Sequence, residues 1–198
     1  AVDVEMAVDG AIGLSLSTLN NPFFVTLSEG AEEAAKELGL NLITVDAGDD
    51  AAKQASDIED LISKNISVLI VNPVDSDAVA TVVQEAIDKG IKVISVDRSV
   101  NGAEVDCAIA SDNVAGAKLA AEYLVEKAGE GAKTVELEGV PGASATIDRG
   151  EGFHGIADKK LDVLASQTAN FNRSEGMTVM ENMLQSHPDI QARSEEHT

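Results

Sequence analysis

Tryptophan is absent from this chain; tyrosine occurs once, cysteine once and phenylalanine four times. A single cysteine, Cys107, excludes an intrachain disulfide, so cysteine usage says nothing about a secretory route. Its neighbours Ala108, Ile109 and Ala110 read as a buried strand, in which a small thiol packs rather than reacts. No apolar run approaches the roughly 20 residues that a membrane helix needs. The start, Ala1-Val2-Asp3-Val4-Glu5, lacks the basic and apolar regions of an export signal: either a signal has been removed or there was none. Positive charge is scarce as well, since 14 Lys and Arg against 35 Asp and Glu leave a formal charge of −21. Such a chain repels nucleic acid and anionic lipid, and neither is an expected partner. A solvated acidic surface accounts for the excess, and adaptation to a saline source is the sharper alternative, because salt would screen the self-repulsion.

Signatures of enzymatic chemistry are missing too. Nothing matches G-x-G-x-x-G after the first strand, and no G-x-x-x-x-G-K-[ST] occurs. His154, His187 and His197 lie apart in sequence, with no cysteine or carboxylate cluster at metal-ligand spacing. Gly142-Ala143-Ser144 is not a nucleophile elbow, and Ser17 has no triad around it. These absences favour a binding module over an enzyme, with no cofactor and no metal expected.

What is present is a repeating pattern. The chain has 198 residues, 44% of them hydrophobic, enough for one large α/β domain or two small lobes. Short apolar runs, Ile12 to Ser17, Leu42 to Val45, Val68 to Val71 and Val93 to Val96, alternate with helix-length amphipathic segments, as in a buried parallel sheet. Pro22 suits a first helical turn and Gly39 a stop, predicting a helix from Pro22 to Leu38. Asp75-Ser76-Asp77 predicts the cap of another, ending at Lys89-Gly90. From Ser111 a second series begins: a helix from Asp112 to about Ala128, a strand Thr134 to Leu137, a helix near Ile147 to Lys159, a strand Val163 to Ser166 and a helix Ser174 to Gln185. Right-handed crossovers make each series a doubly wound parallel sheet. The expected organisation is a first lobe over 1–110, a partial second lobe over 111–192 and a polar tail over 193–198.

In doubly wound sheets ligands bind beyond the C-terminal strand ends. Here those ends carry Ser17 with Asn20-Asn21, then Asp46, Asn72 and Asp97-Arg98. Carboxylate, amide and guanidinium groups clamp neighbouring hydroxyls in pairs, and aromatic rings cover the C–H faces of a sugar; two of the four phenylalanines are adjacent at Phe23-Phe24. Each feature also has a plainer explanation: phenylalanines at a helix start pack into cores, strand-end Asn or Asp caps turns, and Asp97-Arg98 forms a simple ion pair. Their convergence on one crevice favours a ligand.

Several segments resemble ribose-binding proteins of the periplasmic sugar-binding family: Ser17-Thr18-Leu19-Asn20-Asn21-Pro22-Phe23-Phe24, Asn72-Pro73-Val74-Asp75-Ser76-Asp77, Asp97-Arg98, Ala110-Ser111-Asp112-Asn113, Gly139 to Ser144 and Arg149 to Phe153. The resemblance runs on to Ala192. It implies an α/β, two-lobed periplasmic-binding-protein fold whose lobes close over D-ribose, or a related monosaccharide such as allose, and present it to a membrane ABC permease. A chemoreceptor is a further implied partner. A monomer is implied too, in the periplasm, or extracytoplasmic and membrane-anchored in a single-membrane organism. The implied pocket is Ser17, Asn21, Phe23, Phe24, Asn72, Asp97 and Arg98 on the first lobe, Ser111 at the crossing, and Val140, Arg149 and Phe171 on the second. A lactose-repressor-like sensor shares the architecture but needs a basic DNA-reading headpiece, whereas Ala1 to Gly10 is acidic.

The family pattern continues past Ala192 with further pocket and hinge residues, whereas Arg193-Ser194-Glu195-Glu196-His197-Thr198 is wholly polar and reads as non-native sequence or an ordinary terminus. The second lobe and the hinge are thus expected to be incomplete. Unpaired buried groups cost about 1–3 kcal/mol each. The 198-residue chain is therefore expected to show no ribose-dependent rise in melting temperature; a clear rise would overturn that expectation.

Overall fold

The alternation of apolar runs and amphipathic segments builds two parallel sheets in the computed structural model, which describes residues 10–195. The acidic start, residues 1–9, and Glu196 to Thr198 of the polar tail lie outside the described residues. Contacts divide the chain into one unit ending at Ile109 and a second starting at Ala110.

The first unit runs β1 (Ile12–Leu16), α1 (Pro22–Leu38), β2 (Leu42–Asp46), α2 (Ala51–Ser63), β3 (Val68–Val71), α3 (Ala80–Asp88), β4 (Lys92–Val96) and β5 (Cys107–Ile109). Its sheet order is β2-β1-β3-β4-β5, every neighbouring pair parallel. Helix α1 occupies the predicted span because its ends are chemically marked: Asn21 Oδ1 accepts the Phe23 N–H at 2.9 Å, and Gly39 closes the helix at φ 68. The core joins Ile58, Leu61 and Ile62 of α2 to Leu69 and Val71 of β3, Val82, Val83 and Ala86 of α3, and Val93 of β4. Along β1 the side chains alternate, so Leu14 and Leu16 project from one face while Gly13 and Ser15 turn to α2. A Cβ on Gly13 would come within 3.0 Å of a Leu61 methyl and 2.9 Å of the Ile66 terminal methyl, so a larger residue there requires these two side chains to shift.

Two expectations are corrected in this unit. Helix α3 begins at Ala80, not at the Asp75 cap, because the Asp75 carboxylate accepts the N–H groups of Asp77 and Ala78 and first closes a tight turn. Cys107 is exposed, not buried: β5 is a three-residue strand at the sheet edge, paired among the described residues with β4 alone, and its residues are exposed.

The second unit comprises α4 (Asn113–Ala128), β6 (Lys133–Glu138), α5 (Ser144–Lys160), β7 (Asp162–Thr168), α6 (Arg173–Ser186) and β8 (Ala192–Glu195). The sheet order is β7-β6-β8, again parallel. Arg193 to Glu195, read from sequence as part of a polar tail, pair with Val135 to Leu137 of β6. A strand ladder joins backbone groups and so tolerates polar side chains where they face outward. Helices α4 and α5 pack most closely at Gly152, where an added Cβ would strike the Val114 carbonyl and lie 3.0 Å from Ala117.

Among the described residues of this unit, one carboxyl group is buried. Glu136, on the central strand and 2% exposed, accepts the Ser166 hydroxyl at 2.7 Å and meets His154 Nε2 at 2.9 Å; His154 Nδ1 lies 2.8 Å from Asp158. Burial disfavours the imidazolium, but the Asp158 hydrogen bond and the charges of Glu136 and Asp158 together prevail and raise the His154 pKa above 6.5. A pKa raised by folding contributes stability in full below pH 6.5 and loses it as pH climbs through the folded-state value. Melting temperature should therefore fall more between about pH 6 and about pH 9 in the parent than in His154→Gln. In the same helix, Gly152→Ala should destabilise by about 1–3 kcal/mol through overpacking. Gly155→Ala, where nothing lies within 4 Å, should be neutral or stabilising in the same thermal melts.

Candidate functional site

Parallel register brings the C-terminal ends of the strands to one edge in each unit. In the first, β1 lies between β2 and β3, so the chain leaves β1 in one direction and returns on its other side. That reversal opens a crevice at the β1 and β3 ends. Ser17 and Asn72 meet there, both fully buried. Asn72 Oδ1 accepts the Ser17 hydroxyl at 2.7 Å and the Ser17 N–H at 3.3 Å, while Asn72 Nδ2 donates to the Val96 carbonyl at 3.1 Å. One side chain thus ties together the ends of β1, β3 and β4.

Arg98 follows β4 and is 2% exposed. It donates to the Pro73 carbonyl at 2.7 Å, stands 3.8 Å from the Asp97 carboxylate, and places its guanidinium carbon 5.2 Å from the centre of the Phe24 ring. Asp97 adopts φ 65, a left-handed conformation unusual outside glycine, and its N–H donates to the Ile109 carbonyl at 2.7 Å. Phe24 is buried and Phe23 is 55% exposed, with their rings edge to face at 5.3 Å. The structure therefore gathers Ser17, Asn72, Asp97, Arg98 and Phe24 into a connected group. Asn21 stands beside it with its Oδ1 committed to capping α1. Asp46 accepts the N–H groups of Leu19 and Gly48 and shapes the loops at this edge.

In the second unit Ser111 and Arg149 line one cavity of about 260 Å³ with Asn113, Glu136 and Phe153. Arg149 Nε donates to Asn113 Oδ1 at 2.9 Å, and its guanidinium carbon lies 5.7 Å from the Phe171 ring centre. Phe171 and Asn170 both have φ 52, a costly conformation for a bulky residue. The loop is held by Thr168, whose hydroxyl donates to the Gly139 carbonyl at 2.5 Å, and by Asn172, which caps α6. Only glycine at 139 leaves room for the Phe171 ring. Val140, half-buried, continues that loop and accepts the Ala143 N–H at the start of α5.

Three further residues belong to these networks without having been singled out from sequence: Gln54, buried behind Asn72; Asn113, which orients Arg149; and Glu136 on the cavity wall. Asn113 lies inside a recognisable motif but reads there as an ordinary helix start. Taken together, the arrangement supplies paired hydrogen-bonding groups and aromatic faces suited to a neutral, hydroxyl-rich ligand.

Comparison with known proteins identifies the family. The family described as periplasmic binding protein domain matches residues 12–193. The ribose import binding protein of Bacillus subtilis is 55% identical over 181 residues, covering 91% of this chain and 59% of that protein. Its namesake from Escherichia coli is 49% identical over 188 residues, covering 94% and 63%. A crystal structure of the Caulobacter myo-inositol binding protein bound to myo-inositol superposes with a TM-score of 0.87 at 31% identity, covering 93% of this chain and 64% of that one. The chain spans about three fifths of the length of these curated relatives. Two α/β units with parallel sheets, polar strand ends at a topological reversal and a family match over residues 12–193 lead to one conclusion: the chain belongs to the periplasmic binding protein domain family.

Proposed function

We propose that this chain is the sugar-recognition portion of the substrate-binding component of a ribose ABC importer, which captures free D-ribose and delivers it to a membrane permease. The carrying observation is an arginine set against a phenylalanine at the strand-end edge of each unit, Arg98 with Phe24 and Arg149 with Phe171. A guanidinium donates to neighbouring hydroxyls in pairs, and a ring beside it covers the C–H face of the same sugar. On the first unit Ser17, Asn21, Asn72, Asp97 and Arg98 supply the polar groups, and Phe23 and Phe24 the apolar faces. On the second, Ser111 and Arg149 supply polar groups and Val140 and Phe171 apolar ones. The protein acts as a carrier without bond chemistry, works as a monomer in the periplasm or anchored outside a single membrane, and has a chemoreceptor as a second partner.

Ribose is favoured over allose by the relatives. Those named for ribose import reach 55% and 49% identity, against 29% for the D-ribose/D-allose-binding protein of Pseudomonas aeruginosa. The test is calorimetric titration, with ribose, allose, galactose and xylose, of the chain continued to the length of its curated relatives. Ribose should bind tightest, and failure to bind it would overturn the specificity. In that form Arg149→Met, which removes hydrogen bonds from a charged donor, should weaken ribose binding by about tenfold or more, and should also lower the melting temperature of the sugar-free protein by a few degrees, because Asn113 Oδ1 loses its donor.

A further inference from the structure

Gln54 lies on α2, away from the strand-end edge in sequence, yet it is 1% exposed and every polar atom of its amide is engaged. Its Nε2 donates to the Asn72 carbonyl at 2.9 Å and to the Ser15 hydroxyl at 3.2 Å, and its Oε1 accepts the Val74 N–H at 2.7 Å. The amide therefore clamps both sides of Pro73, whose own carbonyl accepts Arg98 at 2.7 Å. A proline between two clamped residues has little backbone freedom left, since its ring fixes φ and it has no N–H. The direction of the Pro73 carbonyl, and through it the placement of the Arg98 guanidinium against Phe24, is thus tied to the Gln54 amide, whose hydrogen bonds go to Ser15, Asn72 and Val74.

We infer that Gln54 is a positioning residue for ligand recognition: it sets the 72–74 segment that aims Arg98. The inference rests on the proposed sugar site but can be judged separately from it. A residue needed only for folding would lower the melting temperature and leave the folded site intact, whereas a positioning residue changes Arg98 itself.

Two measurements test this on Gln54→Met, which is similar in length but offers no hydrogen bonds, and on Gln54→Glu. The glutamate can still accept from Val74 but sets a carboxylate oxygen against the Asn72 carbonyl. The first is the Nε–Hε resonance of Arg98 in the nitrogen-labelled, sugar-free 198-residue chain, assigned among its four arginines by Arg98→Lys. The second is ribose affinity in the form continued to family length, measured well below the melting temperature. Both variants should move the Arg98 resonance and weaken binding by about tenfold or more. Ile58→Val, a core change on the same helix, should lower the melting temperature alone. An unmoved resonance, or affinity within about twofold of the parent, overturns the inference. If the parent binds no sugar, the proposed function fails while the resonance still judges Gln54. Should Gln54→Met not fold, Gln54→Glu carries the same two measurements.

Discussion

Buried polar groups must find partners inside the protein, and at the end of a parallel sheet this demand falls on a few side chains at once. Asn72 meets it for three strands: it accepts from Ser17 and donates to Val96. With its carboxamide so engaged, the strand ends hold still relative to one another, and the residues that follow them start from fixed positions. Arg98 is the clearest beneficiary. A guanidinium 2% exposed is costly unless its donors are met, and the Pro73 carbonyl beside Asn72 meets one of them.

The two units reach the same arrangement by different means. In the first, a buried arginine is held by backbone carbonyls and faces Phe24. In the second, Arg149 is held by the side chain of Asn113 and faces Phe171, whose ring is delivered by a left-handed loop over a glycine. Each unit also places a left-handed, non-glycine residue at its strand-end edge, Asp97 in one and Phe171 in the other. Backbone strain at such positions persists only where surrounding contacts impose it. Here the Asp97 N–H bond to Ile109 and the Thr168 bond to Gly139 do so.

Much of the fold was legible in the sequence because it rests on local signals. The bounds of α1 follow from Asn21, Pro22 and Gly39, and β3 from an unbroken run of Val68 to Val71. What local signals missed depends on partners remote in sequence. Cys107 sits in an apolar run yet on an edge strand, and nothing in Ala108-Ile109-Ala110 says which strands flank it. The Arg193 to Glu195 strand is polar and is defined by pairing with a strand some sixty residues earlier, at Val135 to Leu137. The site shows the same division. Strand-end polar residues could be named from the pattern, because the pattern locates the edge. Gln54, Asn113 and the pairing of Glu136 with His154 could not, because each acquires meaning only from a group on another element.

The contrast in exposure between Phe23 and its neighbours bears on how such a protein diversifies. Asn72, Gln54 and Arg98 are interlocked, so a change in any of them disturbs the sheet edge. Phe23 is more than half exposed, its ring packs edge to face on Phe24, and its contribution to the α1 cap is a backbone N–H that other residues also supply, so its side chain can be exchanged at less cost to the fold. Mutational drift toward a new ligand thus has an open route at the rim of the crevice and a closed one at its floor. On the proposed reading of this crevice, a lineage changing its preferred sugar rewrites the aromatic rim first and keeps the amide and guanidinium floor.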